Sequence, residues 1–172
     1  PYLISELGMT ESQLGMVSAF YFMPVAILAI VIGRALDKYS VKNFMMIGAV
    51  IYAIGLFSLS FINSYWSLLT IYLTILALGS IMMGNLAVAK LISNWFDKNA
   101  GRALGIAAVG ISFSGVVLPL VVDPLLDLVG WRNVYVIFAS VILFIILPLI
   151  FFTVIDDPKS CLLYTSDAAD EE

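Results

Sequence analysis

Five stretches of the chain, at about 15–32, 44–62, 67–89, 103–122 and 133–155, run for eighteen residues or more without one charged side chain. A helix rising 1.5 Å per residue needs ~20 such residues to cross a hydrocarbon core of ~30 Å, and each stretch is near or above that length. None alternates apolar and polar positions as the wall of a membrane barrel must. The pattern therefore predicts an all-α, polytopic transmembrane bundle of about five spans. The links at 34–43, 63–66, 90–102 and 123–132 are short, which keeps consecutive spans antiparallel and packed as one domain over 1–160. Local punctuation agrees. Thr10 with Gln13 three residues on makes a capping box ahead of the first span, and Asn63-Ser64 reads as a turn beside Tyr65 and Trp66, two residues suited to a membrane interface. Pro24, Pro119 and Pro148 fall inside apolar stretches and predict packing kinks whose freed carbonyls neighbouring helices satisfy.

Composition strengthens the membrane reading. Apolar residues make up 62% of the chain and charged ones 12%, against roughly half and a quarter in soluble domains. Four of the twelve acidic residues, Asp167, Asp170, Glu171 and Glu172, lie at the extreme C-terminus; without them acids and bases balance at eight each. Such a balance carries no footprint for nucleic acid. There is no His, and the single Cys is Cys161, so His- or Cys-based metal sites, proton relays and disulfide frameworks are excluded, and no cofactor is expected. After Cys161 is set aside, the spans hold no nucleophile with an acid–base partner, so an enzyme is not expected.

Basic residues set an orientation. Arg34, Lys38, Lys42, Lys90, Lys98, Arg102 and Lys159 fall on one side of the predicted spans and Arg132 alone on the other. The positive-inside rule makes the first side cytoplasmic in a plasma membrane or bacterial inner membrane. Residues 1–12, with Glu6 and Glu11, are then external, which predicts one further helix upstream of Pro1 and an incomplete chain. Residues 161–172 resemble a translated sequencing adaptor of the transposon-end type, and no fold or function is read from them.

Two turns between spans share a pattern. Leu36-Asp37-Lys38-Tyr39-Ser40-Val41-Lys42-Asn43 and Leu126-Asp127-Leu128-Val129-Gly130-Trp131-Arg132-Asn133 each place an acid, a small residue three on, a basic residue two further, then Asn. An odd number of spans separates them, so they lie on opposite membrane faces. Internal similarity in opposite topology is a mark of inverted-repeat secondary transporters.

The first turn, with Gly33, Asp37, Lys38 and Lys42, resembles the signature loop of the major facilitator superfamily, Gly-x-x-x-Asp-(Arg/Lys)-x-Gly-x-(Arg/Lys)-(Arg/Lys). Ser40 stands where that pattern has Gly, and Asn43 where it has a basic residue. A Ser forced to positive φ costs roughly 1 kcal/mol. The segment from Asn94-Trp95-Phe96 to Gly105, with Gly130-Trp131-Arg132, is similar to the fourth-to-sixth helix region of the same superfamily, in a flavour like its monocarboxylate and oxalate–formate branch. The resemblance implies helices two to six of an N-terminal half, a missing C-terminal half of the same protein, and transport of a small solute by alternating access. An organic anion is slightly preferred, with an ion as second partner where transport is coupled; no Asp or Glu lies mid-membrane here to carry such coupling. It implies that Asp37 anchors a cytoplasmic gating loop ordered by Lys38 and Lys42, with Gly33 allowing close approach, and that Asp127, Gly130 and Arg132 form the outer counterpart.

Polar residues inside the spans are few. The resemblance points to Tyr21, Asn85 and Ser112 for the substrate cavity; the plainer alternative for each is an interhelical hydrogen bond worth ~0.6 kcal/mol. Lys90 either snorkels to the interface or points inward towards an anion. Gly101, Gly105, Ala108, Ser112 and Gly115 recur at helical spacing and predict a small-residue packing face. The alternative function is a small membrane scaffold or binding protein that transports nothing.

Overall fold

A computed structural model describes residues 2–96 and 99–156. Lys98, Lys159 and the tail at 161–172 lie outside the described residues. Within them the chain is helical: α1 (Tyr2–Leu7), α2 (Glu11–Leu36), α3 (Val41–Leu59), α4 (Tyr65–Ile71), α5 (Ala77–Met83), α6 (Asn85–Trp95), α7 (Ala100–Val141) and α8 (Leu147–Thr153), with π-helical turns at Tyr72–Leu76 and Ile142–Ile146. Four continuous helical runs are long and apolar enough to cross a membrane: Glu11–Leu36, Val41–Leu59, Tyr65–Trp95 and Ala100–Thr153. The protein is a multi-pass integral membrane bundle.

The last run holds 54 residues, a length of ~80 Å at 1.5 Å per residue, far more than one crossing requires. Gly130 divides it. Its φ of 77° and ψ of 159° leave helical space, in a region open to glycine and costly to other residues. The two legs, 100–129 and 131–153, are each long enough to cross a membrane core once. The charge pattern predicts a loop over 123–132, but helix persists through Pro124 and Asp127 and breaks at Gly130 alone. Asp123 and Asp127 are four apart and share one helix face, so polarity there does not require a loop. Likewise α6 runs to Trp95, and the expected link at 90–102 shrinks to a few residues.

Helix ends follow the local chemistry. Thr10 Oγ1 accepts from Gln13 N at 3.2 Å, and Thr10 N donates to Gln13 Oε1 at 2.9 Å, closing the expected capping box at α2. Ser64 caps α4 by accepting from Ser67 N at 3.3 Å. The two π turns have nameable causes. Pro148 has no N–H for the Phe144 carbonyl, and the ladder rearranges into Ile142–Ile146 just before it. In the other, the Thr74 hydroxyl donates to Thr70 O at 2.6 Å beside the disturbed ladder.

Helix α3 is the central post. It packs closest on α5, where a Cβ added to Gly48 would sit 2.7 Å from Met82 Cβ, and one added to Gly79 only 2.6 Å from Tyr52 N. Apolar side chains cluster around this contact towards both ends. Ala53, Leu56, Leu59, Leu68, Leu76 and Trp131 fill one end; Ile32, Leu36, Met45, Ala49, Met82 and Ile150 fill the other. The leg at 100–129 stands apart from this core. Ile106, Val109, Phe113, Val116 and Leu120 are each about two-thirds exposed or more, and a Cβ on Gly101, Gly105 or Gly115 would meet nothing within 4 Å. The small-residue face expected to pack there is open among the described residues. The close approach is made instead by Gly48, Gly55 and Gly79, because lipid-facing and protein-facing apolar runs look alike in sequence.

Candidate functional site

The end of the bundle that holds Arg34, Lys38, Lys42 and Lys90 gathers the most chemistry. Helix α2 stops at Asp37, whose backbone stays near helical (φ −75°, ψ −21°) while its N–H donates to Gly33 O at 3.3 Å. Three residues on, Ser40 starts α3. Its φ of −55° and ψ of 122° are ordinary for an N-cap, and its Oγ accepts from Asn43 N at 3.2 Å. The penalty anticipated for Ser at a glycine position therefore does not arise. Positive φ is never adopted, and the hydroxyl satisfies a helix donor that glycine would leave open.

Lys90 of α6 reaches across to this turn, with Nζ 2.7 Å from Asp37 Oδ1. The ammonium side chain is one-third exposed and the carboxylate two-thirds, so solvent screens the pair, and exposed ion pairs of this kind are worth ~0.2–1 kcal/mol. Gly33 lies where an added Cβ would be 3.8 Å from Leu86 Cδ2, ordinary contact between α2 and α6. Gly33, Asp37, Leu86, Lys90 and Ser93 line an open cleft of about 370 Å³. Lys38 is exposed. The Lys42 ammonium sits 4.8 Å from the Phe151 ring centroid, a cation–π contact that leaves its backbone N–H for another partner.

That partner is Asp156, just past α8. Its Oδ1 accepts from Lys42 N at 2.7 Å and its Oδ2 from the Ser40 hydroxyl. The α6 helix holds the same stretch of chain: Asn94 Nδ2 donates to Asp156 O at 3.1 Å and Trp95 Nε1 to Ile155 O at 2.8 Å. Sequence reasoning passed over Asp156. The available signal was an acid directly after an antiparallel span, opposite a Ser that begins a helix.

At the opposite end, Arg132 is the hub. Its guanidinium donates to Glu6 Oε1 at 3.0 Å, to Ser60 O at 2.8 Å and to Asn63 Oδ1 at 3.2 Å. It also lies 4.4 Å from the Trp131 ring centroid. Trp131 Nε1 donates to Glu6 Oε2. These donors hold the Glu6 carboxyl below its usual range, the Trp131 hydrogen bond first and Arg132 second, against a smaller opposing effect of desolvation. The outer turn thus ties Arg132 to α1 and to the end of α3, partners that the Asp127–Arg132 spacing did not suggest. Asp127 sits on α7 one turn before Gly130.

The residues chosen for a substrate cavity do not converge. Tyr21 donates to Ser80 Oγ at 2.6 Å and meets Tyr72 edge to face at 6.2 Å, inside the bundle. Asn85 is exposed on the first turn of α6, and Ser112 is exposed on the leg at 100–129 with its hydroxyl 3.3 Å from Ala108 O. Lys90, as above, is at the basic end.

A bundle of apolar helices with a charged Gly-x-x-x-Asp-Lys turn at one end defines a class, that of polytopic membrane proteins, and comparison with known sequences narrows it. The family model described as Major Facilitator Superfamily matches residues 1–162. The chain belongs to that superfamily, whose members are transporters and not enzymes. It is similar to MFS-type transporter 1 of Ophiocordyceps sp. (strain BCC 1869), 28% identical over 140 residues, covering 81% of this chain and 31% of that protein. It is similar to the probable nitrate transporter NarT of Staphylococcus aureus (strain JH9), 30% identical over 141 residues, covering 81% and 36%. The riboflavin transporter MCH5 of Saccharomyces cerevisiae (strain ATCC 204508 / S288c) is 25% identical over 112 residues, covering 63% and 21%. The chain spans about a third of the length of the first of these relatives. No solved structure matches significantly.

Proposed function

We propose that the chain is part of a secondary transporter that moves a small solute by alternating access, with the Asp37 turn as a gating loop on the cytoplasmic side. The observation that carries this reading is the Asp37–Lys90 pair. A carboxylate two-thirds exposed beside an open cleft keeps one oxygen for a group on another element. A helix N-terminus brought against it would find a fixed negative charge of the favourable sign. The basic end is then cytoplasmic, which the clustering of Arg34, Lys38, Lys42, Lys90 and Arg102 supports.

The relatives' names differ in cargo, one nitrate and another riboflavin, so the substrate class rests on chemistry. An organic anion remains the class we favour, from the likeness to the monocarboxylate and oxalate–formate branch. Lys90 itself is paired with Asp37 in this structure. The test is uptake by the full-length protein in proteoliposomes, comparing wild type with Asp37→Asn at matched insertion. Initial rates should fall about tenfold, the equivalent of a barrier ~1.4 kcal/mol higher. Equal rates at equal insertion would sink the gating role of the loop.

A further inference from the structure

The span at 131–153 meets each end of α3 with charge of the sign that end attracts. A helix N-terminus carries partial positive charge and a C-terminus partial negative charge. At the start of α3 the Asp156 carboxylate takes the Lys42 N–H at 2.7 Å and the Ser40 hydroxyl. At its end the Arg132 guanidinium takes the Ser60 carbonyl at 2.8 Å. Arg132 opens the antiparallel span and Asp156 follows it, so one neighbour fastens α3 at both termini.

Asp156 is itself held. Asn94 and Trp95, on the last turn of α6, bind the carbonyls of Asp156 and Ile155. The same helix, one turn earlier, carries Lys90, which holds Asp37. A closed circuit results: Asp37 to Lys90, along α6 to Asn94 and Trp95, across to Asp156, then to Ser40 and Lys42. The turn at 38–40 joins the two ends of that circuit and has both of its ends fixed.

We propose that Asp156 is the positioning residue of the Asp37 turn: by bridging Ser40 and the Lys42 amide it sets where the turn stands relative to α6. Ser40, the departure from the superfamily's glycine, is the matching half of this contact, since glycine has no hydroxyl to give. The consequence for transport rests on the gating role proposed above, whereas the positioning itself does not.

Hydrogen exchange of the full-length protein in nanodiscs, resolved by mass spectrometry, tests it. In Asp156→Ala, exchange of amides in 40–44 rises about tenfold, the size expected from losing a charge-assisted bond to a main-chain N–H, while α5 stays as protected as in wild type. Asp156→Asn, which keeps an oxygen acceptor, restores part of the protection. Ser40→Ala raises exchange at Asn43 on its own, and adding it to Asp156→Ala has less effect than in wild type. Unchanged exchange at 40–44 overturns the proposal, as does an equal rise in α5. Where Asp156→Ala fails to assemble, Asp156→Asn and Ser40→Ala decide by the same readout, unchanged protection again overturning it. Faster loop exchange with undiminished uptake leaves the positioning in place and removes the gating role.

Discussion

Replacing Gly79 with Val should force α3 and α5 apart and destabilise the bundle. An ideal Cβ at this position lies 2.6 Å from Tyr52 N and 2.8 Å from Tyr52 Cα, separations that real Cβ atoms do not show. The obstacle is backbone, so no rotamer change relieves it and α5 must back away from α3. Those two helices form the most extensive contact in the fold; Gly48 and Gly79 keep it close, and Gly55 does the same against the π turn at Tyr72–Leu76. Without a hydrophobic drive between helices in lipid, association depends on that close packing. Overpacking of this kind costs about 3 kcal/mol, and a drop of ~10 °C in thermal midpoint follows for a domain of this size. Thermal unfolding in detergent, read by circular dichroism and size exclusion, checks it. Gly105→Ala is the control. Nothing stands within 4 Å of its added methyl, and relief of glycine's entropy cost in a helix should stabilise this chain by ~0.5–1 kcal/mol. Wild-type stability in Gly79→Val would mean that α3 and α5 do not approach as closely as the glycines imply.

This contrast marks the limit of the sequence. The spans were legible because five uncharged runs of membrane length leave few other folds, and the capping box at Thr10 and Gln13 needs only its own four residues. The Asp37 turn was legible for the same reason, being a local pattern of charge and spacing. Packing was not. Small residues on the leg at 100–129 recur more regularly than Gly48, Gly55 and Gly79, yet only the latter meet another helix here, because periodicity shows that a face is smooth and not what it touches. Partners across the bundle were equally hidden. Lys90 had two readings until Asp37 was found 53 residues away, and Ser40 looked like a defect until Asp156 was found 116 residues away. Gly130 falls between these cases: its φ is a local property, but a helix interrupted by a single residue looks like a loop when Asp123, Pro124 and Asp127 precede it.

Arg132→Gln should loosen the end of the bundle opposite the basic loop, and acid should do the same by a different route. Arg132 is the sole basic residue at that end among the described ones, and its guanidinium serves three elements: Glu6 of α1, the Ser60 carbonyl at the close of α3, and Asn63 before α4. Charge-assisted bonds of this type contribute more than neutral ones. With the Arg132 side chain one-third exposed, solvent screens the ion pair with Glu6, and the bonds to Ser60 and Asn63 carry the larger share. Glutamine keeps a donor but cannot span all three partners. The loss should appear as faster exchange in 58–64 and a lower thermal midpoint, with 40–44 unaffected if the two ends act independently. Glu6 supplies the pH arm. Its carboxyl is held below the ordinary value of 4.5 by Trp131 first and Arg132 second. A group with a depressed folded pKa contributes stability above its unfolded pKa and loses it as pH falls through the folded one. The outer contact is thus at full strength above about pH 4.5 and weakens only below it. Glu6→Gln should flatten that part of the stability profile, and Arg132→Gln should shrink it without abolishing it, because the Trp131 N–H still binds the carboxylate. An acid transition below pH 4.5 that is identical in Glu6→Gln and wild type would assign it to other carboxylates and leave Arg132 tied to Ser60 and Asn63.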